Sequence, residues 1–129
     1  MNDFASEFGF TSEQLDALST RAFDLAGVGD HEGATVIMQG LIALVPEEPS
    51  YHSSLGVLLQ QQGKVSEAEA AYDAAIAIWP KAAHALLNRG ELRCVRGDLG
   101  GLDDLRAAAD LKSPVRTKAE ALLRRFSAS

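Results

Sequence analysis

The chain has 129 residues, 47% apolar, 23% charged and 6% aromatic, with one Cys and four Pro, the profile of one soluble globular unit rather than two domains. Twelve Lys plus Arg against 18 Asp plus Glu leave a formal charge of −6, which disfavours a nucleic-acid surface, since that must neutralise phosphates with cations. A lone thiol, Cys94, can neither close an internal disulfide nor supply a cysteine-based zinc site, so the core must hold by packing, in keeping with a reducing, cytoplasmic setting.

The first residues, Met-Asn-Asp-Phe-Ala-Ser-Glu, lack a cationic stretch leading into an apolar run, so no secretory signal is expected. Residues 1–14 form a front segment in which Phe4, Phe8 and Phe10 are apolar among polar neighbours. Those rings either cap the front of the fold or mediate a homodimer. Thr11 and Gln14 have the spacing of a capping box for the first long helix. The most apolar window, Ala34 to Val45, spans about a dozen residues and includes Gln39 and Gly40, short of the roughly 20 that a membrane span needs.

From there the chain repeats. Pro46, Pro80 and Pro114 lie 34 residues apart, as do Gly29, Gly63 and Gly97, and as do Ala22, Gly56 and Gly90. Three agreeing registers place repeats at 15–48, 49–82 and 83–116, with 117–129 left to complete a closing helix, all within one domain of 1–129. In the middle repeat a helix runs from Ser50 to Gln62 and Gly63 ends it. Ser66 with Glu69 reads as a capping box for the next helix, and Pro80 stops that one. Its apolar face is Ala68, Tyr72, Ala75, Ile76 and Trp79 at three- and four-residue steps. Asp30 and Asp98 follow the turn glycines of the outer repeats and can cap their second helices. After Pro114, Val115, Ala119, Leu122, Leu123 and Phe126 share one side of a helix, with Arg116, Lys118, Arg124 and Arg125 elsewhere. That pattern suits a cap over the last apolar face of a stack.

The segment Ser54-Leu55-Gly56, with Gly63, Ala68, Tyr72, Ala75 and Pro80, resembles the tetratricopeptide repeat (TPR), a 34-residue helix-turn-helix unit with small, aromatic and proline residues at those offsets. The resemblance covers Leu15 to Arg116 and is clearest in the middle repeat. Met38 and Arg106 stand in for the second-helix aromatic at the edges, and Leu102 for the alanine. It implies an all-α solenoid of three repeats plus a C-terminal capping helix.

Charge is uneven along the chain. Residues 1–50 carry nine acids and one base, residues 51–80 three acids and one base, and residues 81–129 six acids and ten bases. Such a chain either pairs head to tail with itself or presents solvated faces of opposite sign.

Catalytic chemistry finds no constellation. His31, His52 and His84 sit apart, without the i, i+4 pairing that builds a metal face, and no metal or other cofactor is expected. The run from Gly27 to Gly33 has the wrong glycine spacing for a phosphate loop and reads as a helix–helix turn. Asp103 and Asp104 are adjacent, about 100° apart on a helix, and read as surface carboxylates. Arg93 and Arg96 flank Cys94, yet nothing in the sequence supplies a relay for a catalytic thiol. The expectation is no enzyme.

In stacked helical pairs the first helices line a concave groove suited to an extended or helical segment of another protein. By resemblance to tetratricopeptide domains, the inward positions are the second, fifth, ninth, twelfth and thirteenth of each repeat. Here they are Asp16, Ser19, Phe23, Ala26 and Gly27; Ser50, Ser53, Val57, Gln60 and Gln61; and His84, Leu87, Glu91, Cys94 and Val95. Phe23, Val57, Leu87 and Val95 would be apolar anchors among amides and hydroxyls. The competing reading puts Phe23 and Leu87 under the end helices. Tetratricopeptide co-chaperones that grip acidic chaperone tails use Lys and Asn at the fifth and ninth positions of the first repeat, where this chain has Ser19 and Phe23, so that clamp is missing.

The stretches Leu55-Gly56-Val57-Leu58-Leu59-Gln60-Gln61-Gln62-Gly63 and Glu91-Leu92-Arg93-Cys94-Val95-Arg96-Gly97-Asp98-Leu99 are similar to class II chaperones of bacterial type III secretion. The resemblance implies a cytosolic protein that holds a translocator segment before export and often dimerises. Phe23, Val57 and Leu87 replace tyrosines typical of that groove. A scaffold or assembly adaptor, or a self-association module, are the alternatives. Arg93 and Arg106 occupy offsets where the repeat puts aromatics, with Asp103, Asp104 or the closing helix as candidate partners.

Overall fold

The computed structural model of the chain describes residues 4–128, with side chains described from Ser6 onward. Its elements are α1 (Phe4–Glu7), α2 (Ser12–Gly27), α3 (His31–Leu44), α4 (Pro49–Gln61), α5 (Val65–Ile78), α6 (Ala83–Val95), α7 (Gly101–Asp110) and α8 (Arg116–Ser127). The described residues contain no strand.

Pairs α2/α3, α4/α5 and α6/α7 are the repeat units, and each second helix packs onto the next first helix. The three turns have one geometry. Gly29, Gly63 and Gly97 adopt φ of +91°, +76° and +87°, the left-handed region that side chains disfavour. The following amides reach back to Leu25, Leu59 and Arg93 carbonyls at 2.8, 3.0 and 2.8 Å, satisfying carbonyls that the helix ends would orphan. The register of 34 is therefore a backbone requirement.

First helices α2, α4, α6 and α8 touch in succession, whereas α3, α5 and α7 make no comparable contacts with one another. A stack whose first helices approach more closely curves with them on the inside. Small residues permit this approach: Ala22, Ala34, Ala68, Ala75 and Ala85 are fully buried. The core forms three clusters in chain order. Met38, Leu41 and Leu58 anchor the first, Tyr72 and Leu92 the second, and Leu105, Val115 and Leu122 the third. The closing helix α8 buries Ala119 and Leu122 and half-buries Leu123 and Phe126, as its pattern predicts. Met38, in the aromatic's place, is wholly buried.

Capping follows the sequence at α2 and α3 and departs from it at α5 and α7. Thr11 accepts from the Gln14 amide at 3.1 Å and Gln14 accepts in return from the Thr11 amide at 2.9 Å. Asp30 accepts from the Gly33 amide at 2.9 Å. At α5, however, Lys64 is the cap residue and makes no side-chain cap bond. Ser66 is one residue inside the helix, and Glu69 turns to Arg93 and Arg96 instead. Asp98 bonds the Gly100 amide at 2.9 Å, closing a turn ahead of α7 rather than capping it.

Asp104 is not a surface carboxylate. It is 7% exposed and accepts from Arg89 at 2.7 Å and Arg93 at 3.1 Å. Asp103 is exposed and pairs with Arg106 at 3.0 Å. Both arginines without a sequence rationale thus have acidic partners. Of the front rings, Phe8 is 65% and Phe10 37% exposed, and the Phe4 ring lies outside the described residues.

Candidate functional site

The inner wall opens into a cleft of about 440 Å³ between α2, the first half of α4 and the start of α6. Phe23 enters it from α2, Ser53 and Val57 from α4, and Trp79 and His84 from the α5–α6 junction. A smaller cavity of about 270 Å³ continues from it, sharing Val57 and Asn88 and adding Gln60, Gln61 and Tyr72. The larger cleft has mainly apolar walls and the smaller one is ringed by carboxamides. No described side chain of α1 or α8 lines either.

Seven of the fifteen inward positions meet at these cavities: Phe23, Ser50, Ser53, Val57, Gln60, Gln61 and His84. Ser19 and Ala26 are half-buried on α2, with Ala26 packed against the first core cluster. Val95 is 65% exposed at the end of α6, away from both cavities. Glu91 lies 4.0 Å from Lys118 on the closing helix.

Leu87 and Cys94 do not reach the groove. They are 4% and 7% exposed in the third core cluster with Leu105, Ala119 and Leu122. Leu87 is turned inward where α8 packs against α6 and α7, and the Cys94 sulfur sits against Gly101 at the start of α7. Phe23, by contrast, stays 38% exposed. Burial also pushes the Cys94 thiol up, with Asp104 and Asp98 adding to the effect, which opposes nucleophilic use.

Trp79 and Asn88 are the two most prominent of the lining residues that inward offsets missed, beside Glu48, Pro49, Ser54 and the run from Lys81 to Ala83. Trp79 was assigned to the apolar face of α5, yet it precedes Pro80, and proline forces its predecessor out of helical geometry. Its φ and ψ of −138° and 102° swing the indole to the cleft rim, where it is 54% exposed. Asn88 lies four residues after His84 and so shares its helix face; that spacing was a readable signal.

The cleft is lined by one acid and one base, Glu48 and Lys81. Glu48 bonds the amide and hydroxyl of Ser50 at 3.1 and 3.0 Å, and its charge, with that of Asp16, adds to burial in raising Tyr51. The described residues contain no cluster of three or more His, Cys, Asp or Glu able to hold a metal. No described helix is long and apolar enough to cross a membrane.

The chain belongs to the tetratricopeptide repeat family, whose model matches residues 25–83 and 54–101, together more than half of its length. No curated protein matches it. Among solved structures it is similar to the type III secretion translocator chaperone SycD of Yersinia enterocolitica, at 20% identity and a TM-score of 0.85, covering 97% of this chain and 98% of that one. It is also similar to PcrH in complex with the chaperone binding region of PopD (23%, 0.79, 93% and 96%). The first tetratricopeptide domain of Spaghetti (RPAP3), bound to the HSP90 peptide SRMEEVD, matches at 19% identity and 0.82, covering 92% and 97%.

Proposed function

We propose that the chain is a non-enzymatic binding module that holds a segment of a client protein in its concave groove, acting as a cytoplasmic chaperone of the type III secretion kind. The observation that carries the reading is an apolar cleft on the inner wall that no described part of the chain covers, built by Phe23, Val57 and Trp79. The solved relatives support it: PcrH is seen with the chaperone binding region of PopD, and SycD with a peptide of the translocator YopD.

The chemistry sets the kind of segment. Three apolar side chains at about 1.5–3 kcal/mol each, less the cost of association, give micromolar affinity for a bare peptide. An acidic tail such as the one Spaghetti holds is not favoured, because Ser19 and Phe23 stand where a clamp needs Lys and Asn.

Purification with native neighbours, followed by mass spectrometry of what co-elutes, tests the reading. Val57→Arg should abolish capture while helicity by circular dichroism stays at the wild-type level, and Phe23→Glu should do the same from the opposite wall. Capture that survives both variants, in folded protein, would overturn the groove.

A further inference from the structure

The smaller cavity contains an arrangement whose hydrogen-bonding polarity is determined. Tyr72 is wholly buried, its ring laid against α4 in the space Gly56 leaves, where a Cβ would collide with ring carbon Cε1. The hydroxyl emerges at the cavity and donates to Gln60 Oε1 at 2.7 Å. It makes no other hydrogen bond among the described residues. A buried hydroxyl hydrogen needs an acceptor, so Oε1 is committed, and Nε2 with its two hydrogens is left for the cavity. Burial, with Glu91 adding, pushes the phenol up to about 12, so the hydroxyl keeps its proton at neutral pH. Gln62 behaves differently: its Nε2 is spent on the Leu58 carbonyl and the Thr35 hydroxyl, each at 3.0 Å.

We propose that Gln60, held in orientation by Tyr72, is the fixed hydrogen-bond donor of the groove and takes an acceptor oxygen, a main-chain carbonyl, from the bound segment. The proposal rests on the groove reading and deepens it. A main-chain carbonyl suits the site better than a carboxylate because no cation lines the small cavity, so a carboxylate would find there no charge-assisted partner. Main-chain recognition also fits its place beside the apolar cleft: one large side chain enters between Phe23 and Trp79 while the backbone beyond it is held at Gln60. A donor fixed before binding loses less freedom when the bond forms. Tyr72 is thus a positioning residue for Gln60 rather than a contact.

The test uses capped 12-residue peptides selected by phage display on the wild-type protein, the best binder being labelled with fluorescein and followed by anisotropy. Gln60→Leu should weaken binding about three- to tenfold. Tyr72→Phe should weaken it by a smaller factor and have no further effect on top of Gln60→Leu. Replacing peptide amides by esters one at a time, which weakens each carbonyl as an acceptor, should find one position that matters in wild type and not in Gln60→Leu. If a peptide side-chain oxygen shows that dependence instead, the main-chain assignment is wrong. If Tyr72→Phe binds like wild type, or its effect persists in the Gln60→Leu background, the positioning role is wrong.

Ligand-free NMR gives a second readout. The Gln60 Nε2 order parameter should be high, near the roughly 0.85 of rigid groups, and fall below about 0.6 in Tyr72→Phe; equal mobility in both would overturn the proposal without any peptide. A wild-type protein that selects no peptide but keeps Gln60 rigid would count against the groove reading and remove the ligand assigned here, while leaving the positioning by Tyr72 standing.

Discussion

The two ends of the solenoid are held by different physics. The first repeat joins the second mainly through apolar contact, with Leu15, Leu18, Leu25 and Ile37 only partly buried around Met38 and Leu41, and through two side-chain hydrogen bonds, Gln62 Nε2 to the Thr35 hydroxyl at 3.0 Å and His52 Nε2 to the Pro46 carbonyl at 2.8 Å. Among the described residues no salt bridge involves α2 or α3, although Glu13, Asp16, Asp24 and Glu32 are exposed there. The third repeat joins the second through charge as well as through the buried cluster of Tyr72 and Ala75 with Ala85 and Leu92. Arg89 bridges Asp73 on α5 and Asp104 on α7 at 2.8 and 2.7 Å. Arg93 bridges Glu69 and Asp104 at 2.7 and 3.1 Å, and Arg96 reaches Glu69 at 2.6 Å. Side-chain exposures of 9% at Asp104 and 16% at Arg89 make these bonds partly desolvated. The back end is therefore fixed in orientation by a partly desolvated network of ion pairs, and the front end, with two hydrogen bonds and no ion pair among the described residues, is left more adaptable, with the cleft between them.

The largest effect that tests this contrast is expected at Asp104. It is the shared acceptor of two arginines and pushes the Arg89 guanidinium up chiefly through its hydrogen bond. Removing one partner of a buried network leaves charge uncompensated, at about 3–5 kcal/mol. Arg89 and Arg93 each keep a second acid, so Asp104→Asn should cost about 2–3 kcal/mol, on the same basis, measured by urea unfolding. The matching change at the front, Asp16→Asn, should move stability by no more than about 0.5 kcal/mol. Equal losses at the two sites would erase the distinction between the ends.

Next comes Gly56→Ala, which acts on the middle repeat. The added methyl would overlap the Tyr72 ring, and overpacking of a fitted core costs about 1–3 kcal/mol. The ring must shift, so the Tyr72–Gln60 bond should break as well. A loss of stability with the Gln60 amide still rigid by NMR would separate the packing from the hydrogen bond.

These residues also show what was legible. The period of 34 was plain because each turn requires a glycine at positive φ and each first helix a small residue, Ala22, Gly56 or Gly90, at its crossing. The groove was half legible. Offsets along a repeat found Phe23, Val57, Gln60 and Gln61 but also pointed to Leu87 and Cys94, which lie in the third core cluster; for Leu87 the competing reading, burial under the end helix, is the one the structure shows. Asp103 and Asp104 look alike in sequence. Only the 100° between them on α7 and the position of α6 decide that one is solvated and the other buried. The apparent capping box at Ser66 and Glu69 failed for a related reason, since Glu69 had stronger partners across the repeat interface in Arg93 and Arg96.

A smaller effect concerns acid. The Glu69 carboxyl is held below the ordinary 4.5, first by the Arg93 hydrogen bond, against burial, and then by Arg96. A group whose folded pKa is depressed contributes stability that is present above its unfolded value and lost as pH falls through the folded one. Stability should thus decline from about pH 4.5 downward, and Glu69→Gln should flatten that slope while starting lower at pH 7. An unchanged slope in the variant would show that the back-end network does not drive acid sensitivity.

The smallest effect comes from the neighbour of the first. Asp103 pairs with Arg106 at 3.0 Å across three residues of α7, with side-chain exposures of 84% and 58%. Water screens such a pair, and exposed helix pairs contribute about 0.2–0.5 kcal/mol. Asp103→Asn should therefore shift the urea midpoint barely beyond error and lose what little it contributes in 0.5 M salt. Asp104→Asn, one residue away with the same change in formal charge, should keep most of its cost at that salt. Since composition and local sequence hardly differ, a salt-insensitive gap between the two variants isolates burial as the cause, and a gap that closes in salt would return both residues to the surface.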